Sequence, residues 1–360
     1  MGKAIAKSLS VGMLILGAII GAGFASGQEL VSFFGLGTPP WIIATLAGVL
    51  IFLISALFLF LGSKINAKNV SEINTALVGK FHFVADAVLL VNSLIILSAM
   101  LGAVNSLGSS AISPTFSPLY AIVVGAIAVV VALKGAKGLI VANKIVSPLL
   151  IAALIFIALF TTLTISNREI ATFRLGSIWT LIVYVCMNMM LASTVVTTLG
   201  KMDKKTIFLS SGVAAVCMGV LIFVLMTALN TWGDASAPMP ILDMARHIHV
   251  SVYWIMVVVL FAGIFTTILT AMTGLVSWFE GIFGGKLFSA CVVIAAGFIL
   301  SNLGFSTVVR VLYPIIGILG VVYTLVASSF VVRQTKLANR LKEKSSLKRM
   351  NKSAKNSNSS

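Results

Sequence analysis

The stretch Gly17–Phe34, GAIIGAGFASGQELVSFF, decides how this chain is built. Apolar residues flank it, yet it carries four glycines and, at Gln28 and Glu29, an amide and a carboxyl side chain. Glycine lowers the stability of a helix interior by about 1 kcal/mol relative to alanine. The stretch therefore predicts a spanning helix that unwinds near the middle of a membrane.

The composition places the whole chain in a membrane. Of its 360 residues, 59% are hydrophobic and 9% are charged, whereas soluble domains carry roughly 25% charged residues. The apolar runs are about 17 to 28 residues long, which matches a hydrocarbon core of roughly 30 Å. A water-soluble fold is excluded, and we expect an all-α integral membrane protein.

Charge clusters, glycines and prolines divide the chain into ten predicted helices. They run over about 9–35, 40–62, 83–109, 118–134, 140–164, 177–200, 206–231, 250–279, 287–303 and 306–333. With the N-terminus inside, the outer side holds only Arg168, Arg174, Arg246 and Arg310 of the 25 basic residues. Because cytoplasmic loops collect Lys and Arg, this asymmetry favours ten helices in a cell membrane, with both termini cytoplasmic.

The formal charge of +16 does not indicate nucleic-acid binding. Nine of the basic residues lie in the tail from Arg333 to Lys355, near anionic headgroups. This tail, 334–360, has few apolar residues and is predicted to be disordered. Lys3 and Lys7 before the first apolar run also resemble a signal peptide, although a permease commonly keeps its first helix.

No enzyme or resident cofactor is indicated. The three cysteines fall inside apolar runs and the three histidines near membrane boundaries, so no transition-metal cluster and no nucleophile with its base can be assembled. The partners that we expect are the lipid bilayer and a small-molecule solute. The sequence does not indicate an oligomeric state.

An unwound segment inside a bilayer is tolerated only where protein buries it or where it lines a cavity. Its free amides attract an anionic group and its free carbonyls attract a cation. The segment therefore predicts a site for a zwitterion and a cation. The alternative is that the glycines only allow close helix packing, which leaves Gln28 and Glu29 unexplained.

The stretch Gly17–Phe34 resembles the first helix of the YkvI-like putative amino acid permeases, which are related to the amino acid/polyamine/organocation transporters. The ten-helix plan extends the resemblance to about Arg333. It implies the LeuT-type architecture: a cytoplasmic N-terminus over 1–8, a first five-helix repeat over 9–165 and an inverted second repeat over 166–333. The resemblance also implies that helices 1 and 6 are both broken around a central site. The hydropathy agrees, because five helices per repeat invert the second half.

The resemblance places the solute between the two broken helices. The residues expected to bind it are Gly21, Ala22, Gly23, Phe24, Ala25, Ser26, Tyr184, Met187 and Asn188. Helix 6 departs from the pattern because no Gly or Pro lies between Ile178 and Leu199. The alternative for it is a continuous helix in which Asn188 bonds to a neighbour.

Helix 8 carries a cluster of hydroxyl side chains. By the same resemblance, the carbonyls of Gly17, Ile20 and Gly263 and the hydroxyls of Thr266 and Thr267 would bind one Na⁺, which is consistent with the preference of hard cations for oxygen. The alternative is that these threonines only bond back to the preceding turn.

Glu29 is an ionisable residue inside a spanning segment, where such residues are costly and usually have a partner. We expect either an outer gate formed with Arg310 or a proton carrier, and a partly hydrated carboxylate at the cavity mouth is the third alternative. These features predict a secondary transporter for an amino acid or related zwitterion, coupled to Na⁺ or, less strongly indicated, to H⁺. A channel or a solute sensor is the alternative from another class.

Overall fold

The computed structural model describes residues 2–67, 69–133, 137–165, 176–234 and 236–334. The described part is helical. The predicted disordered tail lies outside the described residues from position 335 onward.

The helices run along the chain in the order expected for ten crossings. They are α1 Gly2–Ile19, α2 Ala22–Ala25, α3 Gln28–Phe34, α4 Pro40–Ile65, α5 Val70–Val78, α6 His82–Ala111, α7 Ser117–Leu133, α8 Lys137–Thr164, α9 Gly176–Val196, α10 Lys204–Trp232, α11 Pro240–Ile248, α12 Val250–Phe283, α13 Lys286–Ser301 and α14 Phe305–Gln334. Single 3-10 turns lie at Gly79–Phe81 and Pro114–Phe116, and α14 contains a π-helical turn at Val308–Leu312.

Eight of the described helices are long and apolar enough to cross a membrane. The first crossing is made by α1, α2 and α3 together, and the ninth by the shorter apolar helix α13. Helices α5 and α11 belong to loops. The described part of the chain therefore contains the ten predicted segments, with several helices extending a few residues past their predicted ends.

Local signals in the sequence set several helix ends. Pro40 opens α4 at a position where the missing N–H costs nothing. The side chain of Asp203 caps α10 by accepting from the Thr206 N–H at 3.1 Å. Gly233 and Gly284 end α10 and α12 in the left-handed conformation, which suits glycine.

The spanning helices pack as two groups. Helices α1, α4, α9 and α10, which are crossings 1, 2, 6 and 7, contact one another, and so do α6, α7, α12 and α13, which are crossings 3, 4, 8 and 9. Helix α8, the fifth crossing, touches both groups through α10 and α12. Each group takes two crossings from each half of the chain, as two inverted repeats require.

Glycines allow close contacts between α14 and α9 and between α4 and the end of α9. A Cβ added at Gly320 on α14 would lie 2.7 Å from the Cys186 carbonyl oxygen on α9. A Cβ at Gly62 on α4 would collide with the backbone of Thr197, just after α9. Small residues at helix contacts are typical in membranes, because lipid supplies little hydrophobic force between helices.

The sixth crossing differs from what the resemblance implies. Helix α9 is unbroken from Gly176 to Val196, so the expected interruption of helix 6 is wrong over these residues. After Gly176 the stretch contains neither glycine nor proline, the residues that most often kink or break a helix. Its residues therefore favour a continuous helix.

A polar network fixes the N-terminal end of the third crossing, α6. The Asp86 carboxylate accepts from the Ser71 hydroxyl at 2.7 Å and from the Asn74 amide at 2.6 Å, and it lies 3.2 Å from the His82 ring. The Tyr323 hydroxyl donates to Asn74 at 3.0 Å. These bonds tie the loop helix α5 to α6 and α14.

Candidate functional site

The interruption of the first crossing begins at the end of α1. The N–H of Gly21 donates to the Ile19 carbonyl at 2.9 Å instead of reaching back to Gly17, and Ala25 donates to the Gly21 carbonyl at 3.0 Å. Within the described residues, the Ile20 carbonyl between them receives no backbone N–H. The predicted break is therefore confirmed, and it leaves the carbonyls of Gly17 and Ile20 without their usual i+4 backbone donors.

A second bend separates α2 from α3. The Ser26 hydroxyl donates to the Gly23 carbonyl at 3.0 Å, and the same hydroxyl accepts from the Gln28 N–H at 3.3 Å. Gly27 between them has a φ of 82°, a left-handed conformation that glycine adopts without strain. The first crossing thus contains two bends separated by one short helical turn.

The loop 236–239 and the first residues of α11 cover this bend. The N–H of Ile241 donates to the Ser26 carbonyl at 3.1 Å. The Gln28 amide is best oriented with its nitrogen toward the loop, where the carbonyls of Ala237 and Pro238 both lie 3.2 Å away. Gln28 and Ser26 are buried by these contacts. The interruption is therefore covered on the side of α3 in this structure.

The loop helix α11 is itself anchored to the C-terminal end of α6 and the N-terminal end of α12. Arg246 donates to the Ser110 carbonyl at 3.0 Å and to the Tyr253 hydroxyl at 2.9 Å. Burial raises the pKa of Asp243 above its usual value, and the positive charge of Arg246 opposes that shift. Arg246 thus anchors the helix that follows the covering loop.

Tyr184, a predicted solute-binding residue on α9, packs against the first crossing. Its ring centroid is 5.2 Å from that of Phe33 and 5.3 Å from that of Phe34, both on α3. Phe24 is fully buried, but its helix α2 packs against α6 and α12. Phe24 and Tyr184, the two aromatic residues expected to bind a solute, therefore lie on different elements: Phe24 on α2 packs toward α6 and α12, and Tyr184 on α9 packs against α3.

The other predicted solute-binding residues lie partly on α9 and partly in the interruption of the first crossing. Met187 and Asn188 are buried on α9, and the Asn188 amide donates to the Tyr184 carbonyl at 3.0 Å. Helix α9 is continuous, as the alternative has it, but Asn188 bonds back along its own helix and not to a neighbour. The remaining members lie in the interruption itself: Gly21, Ala22, Gly23, Ala25 and Ser26.

The predicted cation ligands lie on two elements that both face α8. A Cβ at Gly17 would lie 3.7 Å from the Ser147 hydroxyl oxygen, and a Cβ at Gly263 would lie 3.3 Å from Leu150. The hydroxyls of Thr266 and Thr267 both donate to the Gly263 carbonyl, at 3.0 and 2.9 Å. A hydroxyl that donates still has two acceptor lone pairs, so both oxygens keep the capacity to bind a cation.

Glu29 is the most unusual side chain of the site. It is 4% exposed, and its Oε2 atom has no hydrogen-bond partner. Its electrostatic neighbours are the buried hydroxyl groups of Tyr184 on α9 and Tyr313 on α14. The carboxyl occupies the space where a Cβ on Gly23 would be, so Gly23 has to lack a side chain for Glu29 to fit.

The structure does not bring Arg310 to Glu29. Arg310 is exposed within the π-helical turn, and the only ion pair among the described residues joins His82 to Asp86. The expected gate pair is therefore not formed in this structure. Tyr313, three residues further along α14, is buried and interacts electrostatically with the Glu29 carboxyl instead.

Two features of the site were not predicted from the sequence: the interaction of Tyr313 with Glu29, and the contact of Gln28 with the loop 236–239. Gly317 and Gly320 offered a signal, since two small residues spaced along a spanning helix indicate a close helix contact. That contact presses α14 against α9 and so brings Tyr313 near Tyr184. No sequence feature indicated the contact of Gln28 with this loop, because a hydropathy pattern does not determine the conformation of a loop.

A sequence relative supports the resemblance. The uncharacterized membrane protein YkvI of Bacillus subtilis (strain 168) is 24% identical over 317 residues, which cover 84% of this chain and 90% of the relative. No protein-family profile matches the chain. The similarity to YkvI predicted from Gly17–Phe34 is thereby confirmed.

Solved structures define the fold class. The inward-facing conformation of Mhp1 shares 15% identity and superimposes with a TM-score of 0.69 over 91% of this chain and 77% of that one. MhsT in complex with L-phenylalanine shares 17% identity, with a TM-score of 0.60 over 84% of this chain and 80% of that one. The chain is therefore a multi-pass membrane protein with the LeuT-type fold found in secondary transporters.

Proposed function

We propose that this protein is a secondary active transporter that moves an amino acid or a related zwitterion across the cell membrane by alternating access, coupled to Na⁺. The observation that carries the proposal is the interrupted first crossing, whose backbone around Gly21 leaves carbonyls without helical partners. Such backbone is stable in a membrane only if protein or a ligand satisfies it. The fold shared with Mhp1 and MhsT supports the same mechanism.

The solute would bind along the interruption. Unpaired backbone groups between Ile20 and Ser26 would hold its charged groups, and Tyr184 and Met187 on α9 would supply an apolar wall. Because the loop before α11 closes the outer entrance, exchange with the outside requires that loop to leave α3. The two groups of helices would then move relative to each other with the site between them.

Na⁺ would bind on the inner side of the break. The carbonyls of Gly17 and Ile20 are available from the first crossing, and the Thr266 and Thr267 hydroxyls from α12. Na⁺ binding would order the end of α1 before the solute binds. Both chain termini would face the cytoplasm, which follows from the distribution of basic residues.

The direct test is the thermal stability of the purified protein against a panel of amino acids, amines and carboxylates, each in sodium and in potassium buffer. A ligand that binds only the folded state raises stability by linkage, by about 2.7 kcal/mol at a concentration of 100 times its dissociation constant. We expect a zwitterion whose effect requires sodium. If no solute shifts the melt and vesicles show ion flux that does not saturate, the channel alternative is favoured.

The sodium assignment is tested separately by a double variant. Thr266→Ala with Thr267→Ala should abolish the sodium dependence of solute binding while the protein still folds. The matched control is Thr270→Ala with Thr273→Ala, because these hydroxyls also bond back along α12 but lie beyond the predicted ligand set. Sodium dependence that survives in the first variant would refute the cation site.

A further inference from the structure

The carboxyl of Glu29 lies in a dry, closed site without a compensating charge. It is buried, one of its oxygens has no hydrogen-bond partner, and its side chain fills the space left by Gly23. Among the described residues, no Lys, Arg or His lies within ion-pair distance of it. A carboxylate held there would be both charged and largely unsolvated.

The groups that face Glu29 from its neighbouring elements are all neutral. Helix α9 contributes the Tyr184 hydroxyl and α14 contributes the Tyr313 hydroxyl. The short helix α2 carries no ionisable residue, and the ionisable residues of α10 are two lysines at its far inner end and a cysteine at mid-helix. On α11, Asp243 interacts with Arg246 and Asp234 rather than with Glu29.

Burying an ionised carboxylate without a partner is strongly unfavourable, so such groups become neutral by taking up a proton. A protonated carboxyl can share hydrogen bonds with phenol groups at no charge cost, since each can donate or accept. The closed structure around Glu29 is therefore compatible with the acid form and incompatible with the carboxylate form.

The contacts that close the outer side are formed by the residues immediately before Glu29. Gln28 hydrogen-bonds to the loop 236–239, and Ser26 hydrogen-bonds to Ile241 at the start of α11; these two segments together form the outer loop of the proposed orientation. A Cβ on Gly27 would lie 2.9 Å from the Ile241 side chain. When the loop leaves α3, these groups and the adjacent carboxyl meet outer water. Water stabilises the carboxylate, so opening favours loss of the proton.

We propose that Glu29 is a proton-binding site, occupied while the outer loop is closed over α3 and emptied to the outer water when that loop opens. The proton joins Glu29 as the loop closes and returns to the outer water as it opens. Low outer pH would thus favour the closed state. The link to a transport cycle rests on the proposed function, but the proton site itself is a property of the closed structure.

Infrared pH-difference spectroscopy of the purified full-length protein tests the protonation directly and needs no solute. At neutral pH the wild type should show the carbonyl stretching band of a buried carboxylic acid, and Glu29→Gln should lack that band. Asp243→Asn is the control, because it removes the partly buried carboxyl of the outer loop. A spectrum in which Glu29→Gln leaves the band unchanged, or in which the wild type lacks it, would overturn the proposal.

Accessibility of the outer loop tests the coupling to closure. Ala237→Cys places a thiol on the loop residue whose carbonyl contacts Gln28. Its labelling by a membrane-impermeant maleimide should speed up as outer pH rises, after correction for the thiolate fraction of the probe. One linked proton limits the change to about tenfold per pH unit.

Two variants at position 29 make the result decisive. Glu29→Gln should label slowly at every pH, because it mimics the neutral form, whereas Glu29→Asp should keep a pH dependence. Asp243→Asn should keep the wild-type pH dependence, because it leaves the proposed proton site intact. If Glu29→Gln keeps the wild-type pH dependence, the proposal is wrong. A protein that shows the proton site but no solute binding would instead count against the proposed transport function.

Discussion

Replacement of Gly23 by alanine is the sharpest probe of how the interruption is packed. The new Cβ would lie 2.7 Å from Glu29 Cδ and 2.8 Å from its Cγ, well inside van der Waals contact. The carboxyl has little free space around it, because the Glu29 side chain is buried and the buried Tyr184 and Tyr313 lie close enough to interact with it electrostatically. Either α3 must shift or the Glu29 side chain must leave its position.

The magnitude follows from two opposed terms. Overpacking a filled site costs about 1 to 3 kcal/mol, and replacing a helical glycine by alanine returns about 0.5 to 1 kcal/mol. We expect Gly23→Ala to lower the free energy of unfolding by about 1 to 2 kcal/mol, measured by denaturant titration in mixed micelles. It should also weaken closure of the outer loop, seen as faster labelling of Ala237→Cys.

The matched control is two residues away. A Cβ at Gly21 would meet no atom within 4 Å, and its φ is not in the left-handed range. Gly21→Ala should therefore leave stability unchanged or raise it by up to about 1 kcal/mol through a less flexible unfolded chain. If the two variants have equal stability and equal labelling, the packing of Glu29 against Gly23 described above is refuted.

Three further predictions concern the framework around the site. Asn230→Ala should lower the free energy of unfolding by about 2 to 4 kcal/mol, because its amide satisfies a buried N–H and a buried carbonyl in the loop before α4. Gly320→Ala should cost about 2 to 3 kcal/mol by pushing α14 off the backbone of α9, whereas Gly274→Ala, with no atom within 4 Å of its Cβ, should be neutral. Asp203 has a pKa below its usual 3.8 because Thr206 donates to it. Its stabilising effect relative to Asp203→Asn should thus be present at neutral pH and disappear as pH falls below that value, which acid titration of both proteins would show.

The ten crossings and the break in the first could be read from the sequence because both depend on composition over a window. A long apolar run in a membrane forms a spanning helix. Gly17–Phe34 combines glycines with polar residues inside such a run, where both destabilise a continuous helix. The unbroken sixth crossing could also be predicted from the sequence, because α9 contains no helix-breaking residue after its first position. The family resemblance pointed the other way, and the local residues decided the outcome.

The partners of individual side chains could not be read in the same way. Glu29 and Arg310 were paired on charge and on their shared outer depth, yet the π-helical turn changes the direction of α14 side chains and leaves Arg310 exposed. Tyr313 reaches the carboxyl instead, through the close contact of α14 with α9. A side-chain pair depends on helix rotation and axial shift, and hydropathy constrains neither.

The glycines of the first crossing show why sequence alone could not separate unwinding from packing. Gly21 lies outside any helix, in the break, with open space around it, whereas Gly23 lies within the turn α2 and makes room for Glu29. Both roles require the same missing side chain, so both produce the same letter in the sequence. The alternatives of a broken helix and of close packing were therefore both partly right, at positions two residues apart. The physical difference is only whether another atom occupies the space that a Cβ would take, and that is the quantity that the alanine pair at 21 and 23 measures.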